Sequence, residues 1–284
     1  MTNAPTPADA ARLAPLAPVG NTTRSSAAAA LCTLVGAGPG DPELLTLKAV
    51  RAIQAATVLL VDDLVSDEIV ALASPTARVV RVGKRGGCRS TPQAFIDRLM
   101  ISEALAGENV VRLKGGDPFI FGRGGEEAEH LRAAGVQVRV INGITSGLAA
   151  VTSLGVPLTH RDHAHGVVFV TGHAKPGDAS TDWQALAATA RQCKLTLVIY
   201  MGVSGVHTLQ QQLLTGLAAH TPVAVVQSAS TPQQRQLVCS LGDLPQALAH
   251  AGLGSPAVIV VGDVLQGVAA IASSSSAAAQ RRIA

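Results

Sequence analysis

The sequence predicts an α/β protein of two domains, each a mostly parallel or mixed sheet flanked by helices. The chain has 284 residues, which is enough for two domains. Short apolar runs alternate with helical segments, a pattern typical of βα units on a largely parallel sheet. Apolar residues make up 48% of the chain and aromatic residues only 2%, so we expect Val, Leu, Ile and Ala to form the cores.

The charge and the cysteines argue against several classes of protein. A formal net charge of +3, with one Trp and one Tyr, disfavours a nucleic-acid reader that stacks bases on aromatic rings. The four cysteines form no C-x-x-C pair, so neither a zinc site nor a disulfide framework is expected. The sequence has no run of 18 apolar residues and no signal pattern. We therefore expect a cytoplasmic protein that binds no membrane, no nucleic acid and no metal.

The first half of the folded region alternates strands with helices. Residues 1–29 are rich in Ala, Pro, Thr and Ser and predict a disordered tail. An apolar strand at 30–35 then runs into a Gly loop, after which Asp41 is placed to cap a helix and Pro42 to occupy its first turn. Further strands are predicted at 57–61, 77–82, 109–113 and 136–141. Further helices are predicted at 67–72, 92–106 and 126–134.

The second half repeats this theme after a segment of small residues. Residues 143–156 carry small side chains at helical spacing, so we place the domain boundary there, giving domains at 30–143 and 144–268. Strands are predicted at 167–171, 195–201, 222–227, 236–240 and 257–262. Helices are predicted at 183–190, 206–217 and 245–251, and a disordered tail at 269–284. The short connection after residue 227 contains Pro and predicts an antiparallel hairpin, and hence a mixed sheet.

The first Gly loop imitates a dinucleotide-binding fingerprint. A strand, two glycines (Gly36 and Gly38), a helix and a later Asp62 follow in the expected order. However, Asp41 stands where a third glycine should let the helix pack against the strand. Pro39 also removes an N–H that a pyrophosphate would need. A dinucleotide-dependent oxidoreductase is therefore an alternative that the chemistry of this loop disfavours.

A second Gly-rich loop follows the strand at 109–113. Gly115 and Gly116 permit positive φ and a close approach of a ligand to the backbone, and the Asp117 carboxylate can accept hydrogen bonds from an amine or a hydroxyl. The carboxyl ends of parallel strands meet at one edge of a sheet, so we expect the two loops to lie together there. One such loop alone fits an ordinary turn. Two together favour a site for a small polar ligand held largely by backbone.

Taken in order, the motifs of the chain resemble those of the tetrapyrrole methylase family. They are VGAGPGDPELLTLKA (35–49), DDLVS (62–66), VGKR (82–85), VRLKGGDPFIFGRGGEE (111–127), PLTHRD (157–162), VTGH (170–173) and YMG (200–202). The resemblance covers about residues 31–267. The long RLKGGDPFIFGRGGEE match indicates the members that methylate uroporphyrinogen III. The shorter GPGDP and GGDP motifs also fit other precorrin methylases and diphthine synthase, which stay as alternatives.

The resemblance implies a two-domain tetrapyrrole methylase fold with S-adenosylmethionine held in the interdomain cleft. The implied reaction is C-methylation of uroporphyrinogen III at two pyrrole carbons, giving precorrin-2 and S-adenosylhomocysteine in sirohaem or cobalamin biosynthesis. It requires no metal. The resemblance also implies a homodimer. Because some relatives carry a fused dehydrogenase–chelatase domain that this sequence lacks, we expect a stand-alone enzyme.

The site residues of the family carry over by motif. The resemblance implies Asp62 as a proton acceptor and Lys84 as a proton donor. It implies cofactor contacts from Pro39, Gly115, Gly116, Asp117, Ile120, Thr145, Ser146, Met201 and Ala229. Two positions depart from the family pattern near the pocket: Ala229 stands where many relatives have Gly, and Val61 where they have Tyr.

The implied substrate, a polycarboxylate, predicts a basic binding surface. Because Arg presents a planar fork that matches a carboxylate, we expect Arg85, Arg123 and Arg161 to bind these groups. Each also fits a solvated basic face. Asp62, at the carboxyl end of a strand, is placed to move a proton, or alternatively to cap the following turn. Lys84 is a candidate carboxylate anchor as well, since an ordinary lysine stays charged near pH 7.

Overall fold

The computed structural model describes residues 30–83, 91–173 and 181–267, which form two five-stranded sheets flanked by helices. One sheet is parallel and the other mixed, so the predicted fold class is confirmed. The predicted tails at 1–29 and 269–284 lie outside the described residues, as do Lys84 and Arg85. The predicted domain boundary falls between the last strand of the first sheet and the helix that follows it.

The first sheet has the strand order β3-β2-β4-β1-β5, with every neighbouring pair parallel. Its strands are β1 Leu31–Gly36, β2 Val58–Val61, β3 Arg78–Arg81, β4 Val110–Lys114 and β5 Gln137–Ile141. Its helices are α1 Leu47–Ala55, α2 Asp67–Val70, α3 Gln93–Leu105 and α4 Gly124–Ala133. Helices cover both faces of this parallel sheet, which explains why β2 is buried along its whole length.

Two apolar cores hold the first sheet between its helices. Successive strand residues point to opposite faces, so Leu60 packs in one core with Met100 of α3, while Leu59 packs in the other with Ile53 of α1. All four side chains are fully buried. Full burial of each such side chain contributes about 1.5–3 kcal/mol. This packing fixes the carboxyl ends of β1, β2 and β4 at one edge of the sheet.

The second sheet has the order β6-β7-β10-β8-β9. Its strands are β6 Gly166–Thr171, β7 Leu195–Tyr200, β8 Pro222–Gln227, β9 Arg235–Ser240 and β10 Ala257–Val261. Only β6 and β7 pair in parallel; the other neighbours are antiparallel. The predicted hairpin is confirmed, because β8 and β9 pair from Pro222 opposite Ser240 to Gln227 opposite Arg235. The helices are α5 Ser146–Ser153, α6 Trp183–Gln192, α7 Val206–Leu213 and α8 Leu244–Ala251, followed by a 3-10 turn at Asp263–Leu265.

The segment after the first Gly loop differs from the sequence prediction. Asp41 does act as a cap, since its side chain accepts a hydrogen bond from Glu43 N at 2.8 Å, but it begins only a 3-10 turn, Pro42–Leu44. The α-helix starts at Leu47. Its cap is Thr46, whose hydroxyl accepts from Ala49 N at 3.1 Å while its own backbone is extended. A second capping residue so close to the first divides the predicted helix in two.

Among the described residues, none of the helices combines the length and the apolar character needed to span a membrane.

Candidate active site between the two sheets

The two Gly loops join at the carboxyl edge of the first sheet. Gly38 N donates a hydrogen bond to Gly116 O at 3.1 Å, and Gly116 N donates to Gly38 O at 2.7 Å. Their φ angles are +70° and +66°, in the left-handed region that favours glycine. The prediction that the two loops lie together is therefore confirmed. The two backbone hydrogen bonds join them as an isolated antiparallel bridge.

Two further glycines, Gly36 and Gly143, let the end of β5 approach the two joined Gly loops. A Cβ on Gly143 would lie 2.2 Å from Gly116 O, and a Cβ on Gly36 would lie 2.4 Å from Gly143 N. Neither position has room for a methyl group. The chain segments at the ends of β1, β4 and β5 therefore pack with only backbone atoms in contact. This close approach brings α5 to the edge of the site.

Asp117 holds these loops together. Its carboxylate accepts hydrogen bonds from Phe119 N at 2.8 Å, Asn142 Nδ2 at 3.1 Å and Gly143 N at 3.2 Å. The residue is 7% exposed and does not belong to the lining of either cavity described below. The sequence predicted a carboxylate that faces the ligand. In the structure this carboxylate accepts from three amides of the protein, which the loop would otherwise bury without partners, and the cofactor contact expected of Asp117 stays a prediction.

A cavity of about 340 Å³ opens between the Gly loops and the second sheet. This volume is within the range of small-molecule sites. Eight of the predicted cofactor residues line it, together with Asp62: Pro39, Gly115, Gly116, Ile120, Thr145, Ser146, Met201 and Ala229. Residues from the two halves of the chain thus face each other across one cleft.

Tyr200, at the end of β7, orders the start of α5 within this cleft. Its hydroxyl lies 2.6 Å from Thr145 Oγ1 and accepts a hydrogen bond from Gly147 N at 2.8 Å. A Cβ on Gly147 would lie 2.5 Å from that hydroxyl, so the contact requires glycine. Sequence reasoning did not select Tyr200. The available signal was that the only tyrosine of the chain directly precedes Met201.

Several residues of the cavity wall have unusual backbone conformations. Phe121, Met201 and Ser228 have positive φ angles of 53°, 54° and 50°. A non-glycine residue in this region costs about 1–3 kcal/mol and persists where the surroundings enforce it. Such positions cluster at ligand sites, and here the strained backbone turns the Phe121 ring toward Tyr200, with 4.9 Å between ring centroids.

A second cavity, of about 360 Å³, adjoins the first. Asp62, Phe121 and Gly122 line both cavities, so the Asp62 carboxylate lies at their junction. The basic residues of the second cavity's wall are Arg112, Lys114 and Arg123. Gly83, which directly precedes the Lys84 and Arg85 of the sequence prediction, lines it as well.

A buried charge cluster forms the floor of the second cavity. Glu127 of α4 has no exposed surface, and its Oε1 accepts hydrogen bonds from Arg112 Nε at 3.2 Å and Lys114 Nζ at 3.1 Å. Oε2 lies 3.0 Å from the same Nζ as an ion-pair contact, but accepts no hydrogen bond from the described residues. Burial, followed by the neighbouring Arg112 cation, lowers the pKa of Lys114.

Sequence reasoning did not assign this cluster to the site. The signal was present in β4, where two basic residues, Arg112 and Lys114, alternate with apolar ones in a strand that is otherwise buried. A cation in such a strand needs a buried anion as its partner. Glu127, 13 residues beyond Lys114, supplies it from the next helix.

The remaining predicted substrate residues are placed differently from one another. Arg123 is exposed, lines the second cavity and forms an ion pair with Glu126, 2.5 Å from Arg123 Nη2 to Glu126 Oε2. The hydrogen bond that Arg123 donates to the Glu126 carboxylate raises the pKa of Arg123. Arg161 is exposed in the loop before β6 and lines neither cavity. In the described part of the chain, no three His, Cys, Asp or Glu side chains are grouped so that they could hold a metal ion.

Comparison with known proteins agrees with the geometry. The model of the tetrapyrrole (corrin/porphyrin) methylases matches residues 32–245. The uroporphyrinogen-III C-methyltransferase of Pseudomonas aeruginosa is 52% identical over 236 residues, which are 83% of this chain and 94% of that protein. Siroheme synthase 2 of Aeromonas hydrophila is 50% identical over 233 residues, which are 82% of this chain and 48% of that protein. The chain therefore spans about half the length of that siroheme synthase.

A solved structure shares the fold over most of the chain. It is the uroporphyrin-III C-methyl transferase of Thermus thermophilus complexed with S-adenyl homocysteine, which is 41% identical and superposes with a TM-score of 0.70. The match covers 83% of this chain and 98% of that one.

Proposed function

Because this chain belongs to the tetrapyrrole (corrin/porphyrin) methylase family, we propose that it methylates uroporphyrinogen III with S-adenosylmethionine. The proposed products are precorrin-2, methylated at two pyrrole carbons, and S-adenosylhomocysteine. The observation that carries the proposal is the cavity between the two sheets, in a chain 52% identical to a uroporphyrinogen-III C-methyltransferase.

The cavity suits S-adenosylmethionine in its shape and in the chemistry of its wall. A Cβ on Gly115 would lie 2.8 Å from Leu64 Cβ, so this part of the wall accepts only bare backbone. Ile120 and Met201 provide apolar surface, and Thr145 and Ser146 provide hydroxyls at the start of α5. Pro39 and Ala229 complete the proposed set of contacts, while Asp117 supports the loop from behind.

The chain's own residues align the reactants and handle the proton. Bound S-adenosylmethionine supplies an electrophilic methyl group. Holding two reactants in line can contribute up to about 7–11 kcal/mol to lowering a barrier. Because Asp62 lines both cavities, we assign it as the acceptor of the proton that the cationic macrocycle loses after a ring carbon is methylated. Lys84 is proposed as the proton donor.

The second cavity is the proposed place of the tetrapyrrole. Arg123 lies in its wall with its guanidinium exposed, where it can bind a carboxylate bidentately. We propose the same role for Arg85 and Arg161. When a substrate carboxylate takes the place of Glu126 as the partner of Arg123, the guanidinium keeps an anionic partner. Its positive charge is therefore never left uncompensated.

The direct experiment is to incubate the purified chain with uroporphyrinogen III and methyl-labelled S-adenosylmethionine. Two labelled methyl groups per tetrapyrrole are expected, with red fluorescence of the product after oxidation. Transfer only to an already methylated precorrin would favour a later precorrin methylase, and transfer only to a modified histidine of a protein would favour diphthine synthase. Binding of NAD without methyl transfer would favour an oxidoreductase.

We further propose that the chain works as a homodimer in the cytoplasm, with domains at 30–143 and 144–268. Large apolar side chains on its surface, such as Phe95 (47% exposed) and Phe119 (51% exposed), support an association of copies. Cys32, Cys193 and Cys239 are free thiols, which fits a reducing compartment. Light scattering after size-exclusion chromatography tests the dimer: a mass near 58 kDa is expected (twice the 28.8 kDa of the chain), and a monomer at micromolar concentration would contradict it.

A further inference from the structure

Glu127 has no surface through which it could touch a ligand. It is fully buried beneath the second cavity, behind Arg112 and Lys114. Gln93 Nε2 donates a further hydrogen bond to its Oε1 at 3.1 Å. Any effect of Glu127 on the reaction must therefore pass through these neighbours, of which Arg112 forms the ion-pair contact with Asp62 and Lys114 interacts with it electrostatically.

The nitrogen atoms of the Arg112 guanidinium face three different groups: the Glu127 carboxylate, backbone carbonyls and the Asp62 carboxylate. Nε donates to Glu127 at 3.2 Å, and Nη1 reaches the backbone carbonyls of Leu60 at 3.5 Å and Leu113 at 3.4 Å. Nη2 lies 3.8 Å from Asp62 Oδ1, which is an ion-pair contact beyond hydrogen-bonding distance. Arg112 thus places a positive charge beside Asp62 without occupying its oxygens.

The net charge of the cluster is zero as long as Glu127 is present. Two cations, Arg112 and Lys114, are each 3% exposed at the side chain, and two anions, Glu127 and Asp62, face them. A buried charge without a partner is strongly destabilising. If Glu127 lost its charge, Asp62 would be the carboxylate left in ionic contact with Arg112, and the two would move into a direct hydrogen bond.

We propose that Glu127 is a positioning residue for methyl transfer: by engaging Arg112 and Lys114 from below, it keeps them from binding Asp62, whose carboxylate stays available at the junction of the two cavities. The inference rests on the proposed function, in which Asp62 accepts a proton. It separates two roles for basic residues in the second cavity. Arg112 and Lys114 are held by the buried carboxylate, whereas Arg123 is exposed to the substrate.

The test compares Glu127→Gln with the unchanged chain, using kcat, the KM for uroporphyrinogen III and the Kd for S-adenosylhomocysteine. We expect kcat to fall at least tenfold, with KM and Kd changed less than twofold, because the substituted residue touches neither ligand. Glu127→Asp keeps the charge with a shorter reach and should recover part of kcat. The control is Glu103→Gln, which removes a carboxylate paired with Arg78 on the surface of the same half and should change none of the three values.

The double variant Glu127→Gln/Arg112→Met examines the route through Arg112. It removes Arg112, the cation in ion-pair contact with Asp62, and leaves only Lys114 to compete for that carboxylate, so kcat should exceed that of Glu127→Gln. If Glu127→Gln does not fold, as judged by S-adenosylhomocysteine binding, Glu127→Asp decides, since it keeps the charge: its kcat should fall while KM stays unchanged.

Three results would overturn the inference: kcat of the Glu127 variants within twofold of the unchanged chain, a loss confined to KM, or a double variant no faster than Glu127→Gln. With an unchanged chain that methylates uroporphyrinogen III, any of these refutes only the role of Glu127. If the unchanged chain neither binds S-adenosylhomocysteine nor transfers methyl groups, the proposed function itself fails.

Discussion

Gly38 and Gly116 exchange both of their backbone hydrogen bonds, at 3.1 and 2.7 Å, although 78 residues separate them in the chain. This bridge turns two loops into one rim, and the cavity between the sheets opens directly above it. The rim contains no side chain beyond hydrogen at these two positions. The shape of the rim therefore depends on the space that the neighbouring glycines leave free. Adding a single methyl group at one of these glycines tests this dependence.

Gly143→Ala is expected to distort the rim. The added Cβ would lie 2.2 Å from Gly116 O, so the backbone must shift, at a cost of about 1–3 kcal/mol in the free energy of unfolding. We expect the Kd for S-adenosylhomocysteine, measured by calorimetry, to rise at least tenfold. The matched control is Gly125→Ala in α4, where a Cβ meets nothing within 4 Å and a helical alanine is favoured. Equal Kd values for the two variants would contradict the assignment.

Tyr200→Phe tests the hydroxyl that orders the start of α5. The change leaves the buried Gly147 N–H without its 2.8 Å partner, which costs about 1–3 kcal/mol in unfolding free energy. Because Thr145 and Ser146 line the cavity, the affinity for S-adenosylhomocysteine should fall as well. Denaturant titration and calorimetry provide the two values. A variant that keeps both would show that the hydroxyl does not order this segment.

Asp117→Asn distinguishes a supporting carboxylate from one that binds the ligand. An amide group has one acceptor oxygen and would turn its NH2 toward at least one of the three donors that now bind the carboxylate. We expect the free energy of unfolding to fall by about 1.5–3 kcal/mol even without ligand. A loss of S-adenosylhomocysteine affinity at unchanged stability would instead favour direct ligand contact.

Met201→Gly should stabilise the protein while weakening the site. Met201 has a φ of 54°, and its side chain lines the cavity. Glycine adopts this conformation without the strain of about 1–3 kcal/mol that a non-glycine residue bears, which exceeds the roughly 0.5–1 kcal/mol of chain entropy that glycine loses, so the thermal midpoint should rise by a few degrees. S-adenosylhomocysteine binding should weaken because the cavity loses part of its wall. A lower midpoint together with unchanged affinity would contradict both expectations.

The thiols should differ in their reactivity toward iodoacetamide at pH 8.5. Burial raises the pKa of Cys32 to about 12 and that of Cys239 to about 11, so both stay protonated in the folded chain. The thiolate is the reactive form, and only above these values would it predominate. Cys193 is exposed and should be labelled before Cys32 and Cys239. Peptide mass spectrometry gives the order of labelling, and rapid labelling of Cys32 would contradict its burial in the first core.

The sequence predicted the succession of elements, because apolar periodicity and turn residues are local signals. The resemblance to the tetrapyrrole methylases also implied eight residues that line the cavity. The order of the strands could not be predicted from the sequence. β4 lies between β1 and β2 because of contacts between distant residues, which no local pattern indicates. The start of α1 was misplaced because Thr46 competes with Asp41 for the role of cap.

The polar interior was the part that sequence reasoning could not supply. Asp117 looked like a ligand-binding carboxylate, but its partners are amides of a distant loop, Asn142 and Gly143. Sequence reasoning did not single out Glu127. Its burial depends on how α4 rotates against β4, and that rotation is set by tertiary packing rather than by spacing along the chain.

A crystal structure of this chain grown with S-adenosylhomocysteine tests the central claim most directly. We expect one ligand per chain, in the cavity between the sheets, in contact with Pro39, Ile120 and Met201 and adjoining the rim formed by Gly38 and Gly116. If that cavity stayed empty in such crystals while NAD occupied it in a parallel soak, the assignment of the site would be wrong.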